Sequence, residues 1–431
     1  MVIYSSAASL RLQYVIGFIE SVIGQQIFII DDKDAFAKYD TEKINYSDEK
    51  ICNEEYHIVP HPLLFQTNIA PIDIEVSTCR MNPCFFITQK DSHGFDLLAA
   101  IFYLISRYEE YITYESDFYG RFAHTNSLAY KNNFLKIPLV NLWIIDLMER
   151  LSVKQSIKKT PFFIPTYDID IAYSYKNQSI VKNMGSFFKA FIKGDIDQVI
   201  ERANVYSDKS KDPFDIYDWL EKLHAEHCLS PVYFFLLAKK RGLYDKNNNP
   251  TTKGMQNLIK EHAKKYSIGI HPSWQSGDTE SLLTEEIDLL KNINDGNCTI
   301  SRQHYIRMTL PQTYSLLIKK GITEEYSMGY GSINGFRASV ASPFYWYDLE
   351  KEEITNLLIR PFCYMDANSY FEQHLSAEEA GRELQYYHDV VKKVGGQLIT
   401  IFHNHFLTEQ PQWKPWREMY ERFLQVISDE F

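Results

Sequence analysis

One short stretch limits what this chain can fold into more than any other: residues 161–170, which read PFFIPTYDID. An apolar run that follows a proline and ends in carboxylates is typical of a buried strand, with the carboxylates where the strand leaves the sheet. Strand alternation places Asp168 and Asp170 on the same face. Two neighbouring anions are costly unless a cation or a proton lies between them, so the pair predicts a metal or acid–base site. A solvated loop whose aspartates cap the next helix explains this pattern equally well.

The length of the chain indicates more than one domain. A chain of 431 residues is too long for one ordinary core, so we expect two domains, with three as the alternative. Residues 1–155 are expected to form a mixed α/β domain of unassigned role. Residues 156–431 are expected to form the second domain, with a helical insertion at about 174–212. Within it, a basic amphipathic stretch at 179–193 predicts a helix packed on its own domain; a lid or a helix on an anionic membrane surface is the alternative.

Charge and cysteine usage exclude several classes of protein. The formal net charge of −11 argues against a nucleic-acid partner, because phosphates would be repelled. The six cysteines form no C-x-x-C pair, which argues against a zinc knuckle or a disulfide framework and favours a reducing compartment. The apolar residues 10–23 carry Arg11 and Glu20 and follow no basic region, so neither a signal peptide nor a transmembrane segment is expected. We therefore expect a cytoplasmic protein.

Polar residues collect at the ends of predicted strands in the second half of the chain. Beyond residue 213, apolar strands alternate with amphipathic helices, which indicates a parallel sheet or barrel. The carboxyl ends of parallel strands meet at one rim, where α/β proteins bind their ligands. The residues at predicted strand ends are Asp168, Asp170, His271, Arg302, His304, Arg337 (strand 335–339), Asp366, His403 and His405. In contrast, His224 and His227 lie at i, i+3 spacing in a predicted helix and are expected on its surface.

Four motifs in the order TYDID, HPSW, RQHY and FHNH resemble those of the polysaccharide deacetylases of the NodB-homology carbohydrate esterase group. The resemblance covers roughly residues 160–410. It is strongest to a two-domain type from Bacteroidetes polysaccharide loci, whose accompanying domain also resembles the N-terminal part of this chain. The resemblance implies an irregular (β/α) barrel with fewer strands than the eight-stranded form, preceded by a mixed α/β domain.

The resemblance also implies a role for each matching residue. Asp168 matches the catalytic base, and Asp170 matches a metal-binding aspartate. His271 matches the first metal-binding histidine. Arg302 matches the arginine that orients the base, and Tyr305 matches the residue whose backbone N–H helps to hold the oxyanion.

The last motif and its neighbours complete the expected site. His403 matches the general acid of the family, and His405 is expected to support it or to face the substrate. Asp366 is expected to orient an imidazole or to lie near the substrate. Trp274 of the HPSW motif is expected to lie near the substrate. Arg337 has two equal interpretations, a contact to an acidic or phosphorylated part of the substrate and an ion pair within the barrel.

The metal site departs from the family at one position. The family carries a second histidine four residues after the first, and here that position is Gln275. An amide oxygen is a weaker zinc ligand than an imidazole. His304, in the arginine motif, is a candidate for the missing nitrogen or for a substrate contact. Three states stay open: a weakened zinc site, a relocated ligand and a site that has lost its metal.

The resemblance implies a metal-dependent hydrolase, with Zn²⁺ as the expected ion, that removes N-acetyl groups from a glycan or a nucleotide- or lipid-linked precursor. Enzymes of polysaccharide assembly are the expected protein partners. The alternative is a catalytically inactive relative that binds sugar or serves as a scaffold in polysaccharide biosynthesis. Hydrolysis of a non-sugar amide on the same scaffold is a third hypothesis, because one fold supports many chemistries.

Overall fold

The computed structural model describes residues 1–89, 91–153, 163–177 and 196–428. The start of the first predicted strand, residues 161–162, lies outside these ranges, as does the whole basic stretch 179–193. Of the predicted insertion at 174–212, residues 174–177 and 196–212 are described, and a helix begins at Ile196.

The first part of the chain contains a small parallel sheet. Its strands are β1 (Val2–Tyr4), β2 (Phe28–Ile30), β3 (Lys43–Tyr46) and β4 (Tyr56–Ile58), in the order β2-β1-β3-β4. A separate antiparallel pair consists of β5 (Ser77–Cys79) and β6 (Asn82–Cys84). The helices of this part are α1 (Leu10–Ile23), α2 (Lys33–Ala37), α3 (Leu97–Ile105), α4 (Leu128–Lys131) and α5 (Leu139–Arg150).

Local sequence explains where the two central helices of this part begin and end. The Ser9 hydroxyl accepts a hydrogen bond from the Leu12 N–H at the start of α1, and Gly24 ends that helix in the left-handed conformation, with φ of 71°. At the start of α3, the Asp96 carboxylate accepts the Ala99 N–H. All nine residues of α3 are buried, because a helix that is apolar on every face has to lie in a core.

The second part of the chain is organised around a nine-stranded sheet in the order β12-β13-β11-β10-β9-β8-β7-β15-β14. Its strands are β7 (Phe163–Ile169), β8 (Val232–Leu236), β9 (Ser267–His271), β10 (Ile300–Ser301), β11 (Glu324–Glu325), β12 (Phe344–Asp348), β13 (Glu353–Ile359), β14 (Tyr364–Met365) and β15 (Leu398–His403). The helices are α6 (Ile196–Tyr206), α7 (Tyr217–Glu226), α8 (Lys253–Lys265), α9 (Glu280–Asn294), α10 (Gln312–Lys319), α11 (Ala377–Lys393) and α12 (Lys414–Ser428). Every pairing in this sheet is parallel except that of β12 with β13.

Strand register brings the predicted strand ends to one edge. Strand β7 lies between β15 and β8, with Asp168 opposite His403 on one side and Phe234 on the other. Strand β9 ends at His271, next to the end of β8. The parallel sheet predicted from the sequence is confirmed, and the groups that end its strands are neighbours because the strands run in the same direction.

Three details differ from the sequence prediction. Among the described residues, strand pairing stops at β12 on one side and β14 on the other, so the expected barrel is not confirmed. Residues 335–339 form a turn rather than a strand, so Arg337 does not end a strand. The strand before Arg302 and His304 is only two residues long, so His304 lies not at its end but in the short 3₁₀ turn His304–Ile306 that follows it.

The two parts of the chain share one continuous apolar core, to which α1, α3 and α5 contribute together with β12, β13 and α11. Backbone hydrogen bonds also join them, for example from Phe336 N–H to the Leu135 carbonyl at 2.8 Å and from Val140 N–H to the Ser339 carbonyl at 3.0 Å. Within the described ranges, no helix combines the length and the apolar character that a membrane crossing requires.

Candidate metal centre and its pocket

The end of β7 carries a carboxylate that is held by a buried arginine. An Oδ1 atom of Asp168 accepts a hydrogen bond from Arg302 Nη1 at 2.9 Å, and the same nitrogen bonds Thr166 Oγ1 at 2.7 Å. Arg302 Nε bonds the Tyr326 carbonyl at 3.1 Å, and its guanidinium lies 4.4 Å from the centre of the Phe234 ring. These contacts fix the arginine on three sides, so a buried positive charge holds the Asp168 carboxylate in one orientation.

Next to this pair, Asp170, His271 and His304 converge. One possible ligand atom from each residue lies within 4.8 Å of the others. The Nε2 atom of His271 is 3.3 Å from Asp170 Oδ1, and that of His304 is 3.7 Å from the same oxygen. One carboxylate oxygen and two imidazole nitrogens are a donor set that binds Zn²⁺ and other divalent ions.

The outer nitrogens of both imidazoles are already engaged. His271 Nδ1 is hydrogen-bonded to the Arg302 carbonyl at 2.6 Å, and His304 Nδ1 to Asp245 Oδ1 at 2.9 Å. In each ring this leaves Nε2 directed at Asp170. Metal-binding histidines are oriented in this way by a carbonyl or carboxylate behind them, so the arrangement is that of a prepared ligand set.

Two observations show that a cation fits at this point. The buried atoms Asp170 Oδ1 and His271 Nε2 have no hydrogen-bond partner. Burial lowers the pKa of His304, but the Asp170 and Asp245 carboxylates outweigh it and raise that pKa to about 9. Burial raises the pKa of Asp170, yet the neighbouring histidines, His304 first, hold it well below its usual range. The site therefore attracts positive charge, which a divalent ion supplies more fully than a proton.

His403 lies on the opposite side of Asp170 and is held by Asp366. Its Nδ1 is 2.6 Å from Asp366 Oδ1, its backbone N–H donates to Oδ2 at 2.7 Å, and its Nε2 lies 3.7 Å from Asp170 Oδ2. Burial lowers the pKa of His403, but Asp366 outweighs it and raises that pKa to about 10. His403 is therefore a protonated imidazole at neutral pH, suited to donate a proton.

These groups line one pocket of about 460 Å³. The residues around it are Tyr119, Arg121, Asp168, Asp170, His271, His304, Tyr305, Ile306, Gly331, Met365, Ala367, Asn368, Phe371, Glu372, His403, His405 and Phe406. His405 is partly buried beside His403, and desolvation lowers its pKa to about 3, with His403 adding to the effect, so that it stays neutral. A volume of this size is in the range that holds a small ligand.

Five predicted residues lie outside the lining of the pocket: Arg302, whose contacts with Asp168 are given above, and Gln275, Trp274, Asp366 and Arg337. The Gln275 amide nitrogen donates to Asp245 Oδ2 at 3.2 Å and to the Lys240 carbonyl at 3.3 Å, so this side chain lies behind His304 rather than beside Asp170. The Trp274 indole N–H donates to the Tyr119 carbonyl at 3.3 Å.

Asp366 is fully buried and contacts His403, which is the orienting role rather than a substrate contact. Arg337 is 1% exposed, and its guanidinium bonds both carboxylate oxygens of Glu110 at 2.8 and 2.5 Å. Of the two interpretations of Arg337, the structure has the ion pair, made with a residue of the first part of the chain.

Three contributors to the site were not predicted from the sequence. Asp245 orients His304 from a turn nine residues beyond the end of β8, so the strand-end pattern does not single it out. Tyr119 and Arg121 come from a loop of the first part of the chain. Arg121 Nη1 donates to the Tyr305 carbonyl at 2.8 Å, and no local pattern predicts such a contact.

Two of three comparisons with known proteins gave matches, one to a family model and one to solved structures. A model of a family of unknown function, DUF7033, matches residues 1–156. No curated protein matches the chain.

Among solved structures, a protein from Mycobacterium smegmatis assigned as a polysaccharide deacetylase is 14% identical, with a TM-score of 0.40, over 64% of this chain and 86% of that one. PuuE allantoinase is 11% identical, with a TM-score of 0.40, over 62% and 84%. A polysaccharide deacetylase from Bacillus cereus is 10% identical, with a TM-score of 0.31, over 62% and 89%.

Proposed function

We propose that this protein is a metal-dependent hydrolase that removes N-acetyl groups from a glycan or a glycan precursor. One observation carries the proposal: the cluster of Asp170, His271 and His304 has a candidate base and a candidate acid beside it in the same pocket. The base is Asp168, held by Arg302, and the acid is the imidazolium of His403, held by Asp366. Hydrolysis of an amide needs a base for water and an acid for the departing amine, and the two flanking groups supply them. The motif resemblance to polysaccharide deacetylases supports the choice of an N-acetylated sugar.

In this mechanism Asp170, His271 and His304 would hold the ion; its chemistry would be to lower the pKa of water to about 7 and to polarise the amide carbonyl. Asp168 takes the proton of the attacking water. Its Oδ1 is occupied by Arg302, and its Oδ2 lies 3.7 Å from His271 Nε2, on the side of the ligand set. Arg302 holds the Asp168 carboxylate in this position beside the ligand set.

On the other side, His403 donates a proton from Nε2 to the amine of the departing sugar, while Asp366 holds the ring through Nδ1. The backbone N–H of Tyr305 is assigned to the oxyanion, as in the resembling family. His405 stays neutral and shapes the wall beside His403. The base and the acid are register partners on the neighbouring strands β7 and β15, and both face the pocket.

The finer parts of the proposal follow from the same resemblance. The ion is Zn²⁺, the large sheet is the irregular barrel of the NodB-type deacetylases in its two-domain form, and the protein acts in the cytoplasm on a nucleotide- or lipid-linked sugar together with polysaccharide-assembly enzymes. All six cysteines are free thiols, which is consistent with a reducing compartment.

The direct test is acetate release from N-acetylated oligosaccharides. After chelation, we expect turnover to return with added zinc or cobalt. Asp168→Asn is expected to abolish it, with folding and metal content nearly intact, because the substituted amide accepts no proton. Asp389→Asn, at an exposed carboxylate, is the matched control and is expected to behave as wild type.

Retained turnover in Asp168→Asn would remove this residue from the base role. No release by the wild-type protein with either metal, combined with retained sugar binding, would favour the non-catalytic sugar-binding alternative.

A further inference from the structure

Two of the most exposed apolar side chains of the described residues are carried by segments that meet beside the pocket. Phe118 is 84% exposed and Leu243 is 74% exposed, although both are large apolar residues. They are connected by stacked rings: Phe118 contacts Tyr119 with 5.3 Å between ring centres, and Tyr119 contacts Tyr244, the neighbour of Leu243, at 5.6 Å. Exposure of single apolar residues is ordinary, but a pair on an aromatic base is a feature of interaction surfaces.

A group of positive charges surrounds Leu243. Its members, all exposed, are Lys239, Lys240, Arg241 and Lys246. None of the ion pairs found among the described residues involves these four side chains. Three nearby carboxylates already have positively charged partners: Asp117 pairs with Arg121, Asp245 with His304 and Asp278 with Arg307. In a chain of net charge −11, this is a local positive surface.

We call Phe118, Leu243 and these four cations the mouth patch, because the rings beneath it reach the pocket. Tyr119 lines the pocket, and its ring lies 4.9 Å from that of Tyr305, which lines it as well. Tyr244 packs on Trp274 at 4.9 Å. Tyrosine and tryptophan under apolar tips and cations are the side chains enriched at membrane–water interfaces, since each has an apolar body and a polar end.

We propose that the mouth patch docks on an anionic phospholipid surface, with Phe118 and Leu243 inserted among the acyl chains and the four cations against the headgroups. Charge complementarity selects this partner: a neutral apolar partner would leave four cations without counter-charges. Docking in this orientation places the pocket opening at the headgroup level. The proposal does not depend on the reaction, so it can stand or fall independently of the hydrolase assignment.

Flotation of the purified full chain with vesicles tests the docking. Vesicles of phosphatidylcholine with phosphatidylglycerol are expected to carry the protein, and vesicles of phosphatidylcholine alone are expected to carry far less. Added salt is expected to release it, because headgroup attraction is screened. Phe118→Ser with Leu243→Ser, and separately Lys239→Gln, Lys240→Gln and Arg241→Gln together, are each expected to lower the partition coefficient by about tenfold or more.

Matched controls use equally exposed residues elsewhere. Met81→Ser removes an apolar side chain that is 94% exposed, and Lys33→Gln, Lys38→Gln and Lys50→Gln remove three exposed cations; neither is expected to change flotation. Absence of wild-type flotation overturns the proposal, and so does equal loss in the controls. The proposal is also overturned if the protein binds polygalacturonate through the mouth patch but does not bind vesicles. That result would assign the patch to an anionic glycan instead.

Discussion

At the scale of single residues, Asp245 determines which side chain completes the ligand set. Its Oδ1 accepts His304 Nδ1 at 2.9 Å and the Trp274 N–H at 2.8 Å, and its Oδ2 accepts the Gln275 amide at 3.2 Å. The carboxylate therefore holds His304 towards Asp170 and holds Gln275 away from it. Of the three states left open by the sequence, this geometry favours the relocated ligand.

The first prediction separates the two candidate ligands. His304→Ala is expected to weaken zinc binding by about a hundredfold or more, because it removes an imidazole ligand. Gln275→Ala is expected to change it by less than about threefold, and Asp245→Asn to weaken it by about 10–100-fold through loss of the orienting contact. Competition with a chromophoric chelator measures all three affinities. A larger loss in Gln275→Ala than in His304→Ala would return the ligand role to the glutamine.

A second residue-scale prediction concerns His224, which the sequence placed on a helix surface and which is in fact 2% exposed. Its Nε2 is 2.7 Å from the Tyr167 hydroxyl, and burial lowers its pKa to about 3. The unfolded chain binds a proton at this histidine below pH 6.5, whereas the folded chain does not. Stability from this site is therefore complete above pH 6.5 and is lost as the pH falls, by about 1.4 kcal/mol per pH unit.

Urea unfolding at a series of pH values checks this. His224→Gln keeps a hydrogen-bonding amide but does not titrate, so its free energy of unfolding is expected to fall less steeply below pH 6 than that of the wild type. The two other histidines with strongly lowered pKa values, His93 and His405, contribute the same slope to both proteins. Parallel curves for the two proteins would show that His224 does not carry this pH dependence.

At the scale of elements, the loop of residues 116–122 connects the first part of the chain to the site. Asp117 Oδ1 accepts the N–H groups of Tyr119 and Arg121, both at 2.9 Å, and its Oδ2 accepts Arg121 Nε at 2.6 Å. The loop is therefore rigid, and it presents Arg121 to the Tyr305 carbonyl. Tyr305 has a φ of 59°, which is strained for a residue with a side chain, so an outside contact helps to hold it.

We expect Arg121→Met to lower kcat by about tenfold or more with a smaller change in KM, because the turn that carries His304 and Tyr305 loses a support and small displacements are costly to catalysis. Arg121→Lys keeps one donor and is expected to recover part of kcat. The melting temperature is expected to change little in either variant. A fall in melting temperature that accounts for the lost activity would make Arg121 a stability residue instead.

At the scale of the whole molecule, a buried ion network fastens the two parts together. Glu110 accepts hydrogen bonds from Arg107 Nε at 2.7 Å and from Arg337, and all three side chains are nearly inaccessible to solvent. Burial raises the pKa of Glu110, but Arg337 and Arg107 outweigh it and hold that pKa below its usual value. Removal of one charge from such a network leaves the others buried and uncompensated.

Glu110→Gln is accordingly expected to destabilise the protein by about 3–5 kcal/mol in denaturant unfolding. Glu378→Gln, which breaks the exposed pair with Arg382, is the control and is expected to cost less than about 1 kcal/mol. A loss of similar size in the two variants would mean that the Glu110 network does not hold the two parts together.

Much of the site could be predicted from the sequence, because its members directly follow or end strands. Asp170 comes after β7, His271 and His403 end β9 and β15, and Arg302 follows β10. An apolar run that ends in a polar residue is a local pattern, and parallel strands carry such endings to one edge whatever the details of packing.

The rest depends on contacts between distant segments. Arg337 is paired with a carboxylate 227 positions earlier, and Arg121 supports a carbonyl 184 positions later. Asp245 decides which of Gln275 and His304 faces Asp170. The sequence around Asp245 predicts a turn and nothing more. The sequence alone thus determined the strands, their polar ends and the kind of chemistry at that edge, because short-range periodicity encodes them. Only the tertiary structure decided which side chain faces Asp170, which residues form the pocket wall and where strand pairing stops among the described residues, because burial and long-range pairing settle which of several available partners a side chain meets.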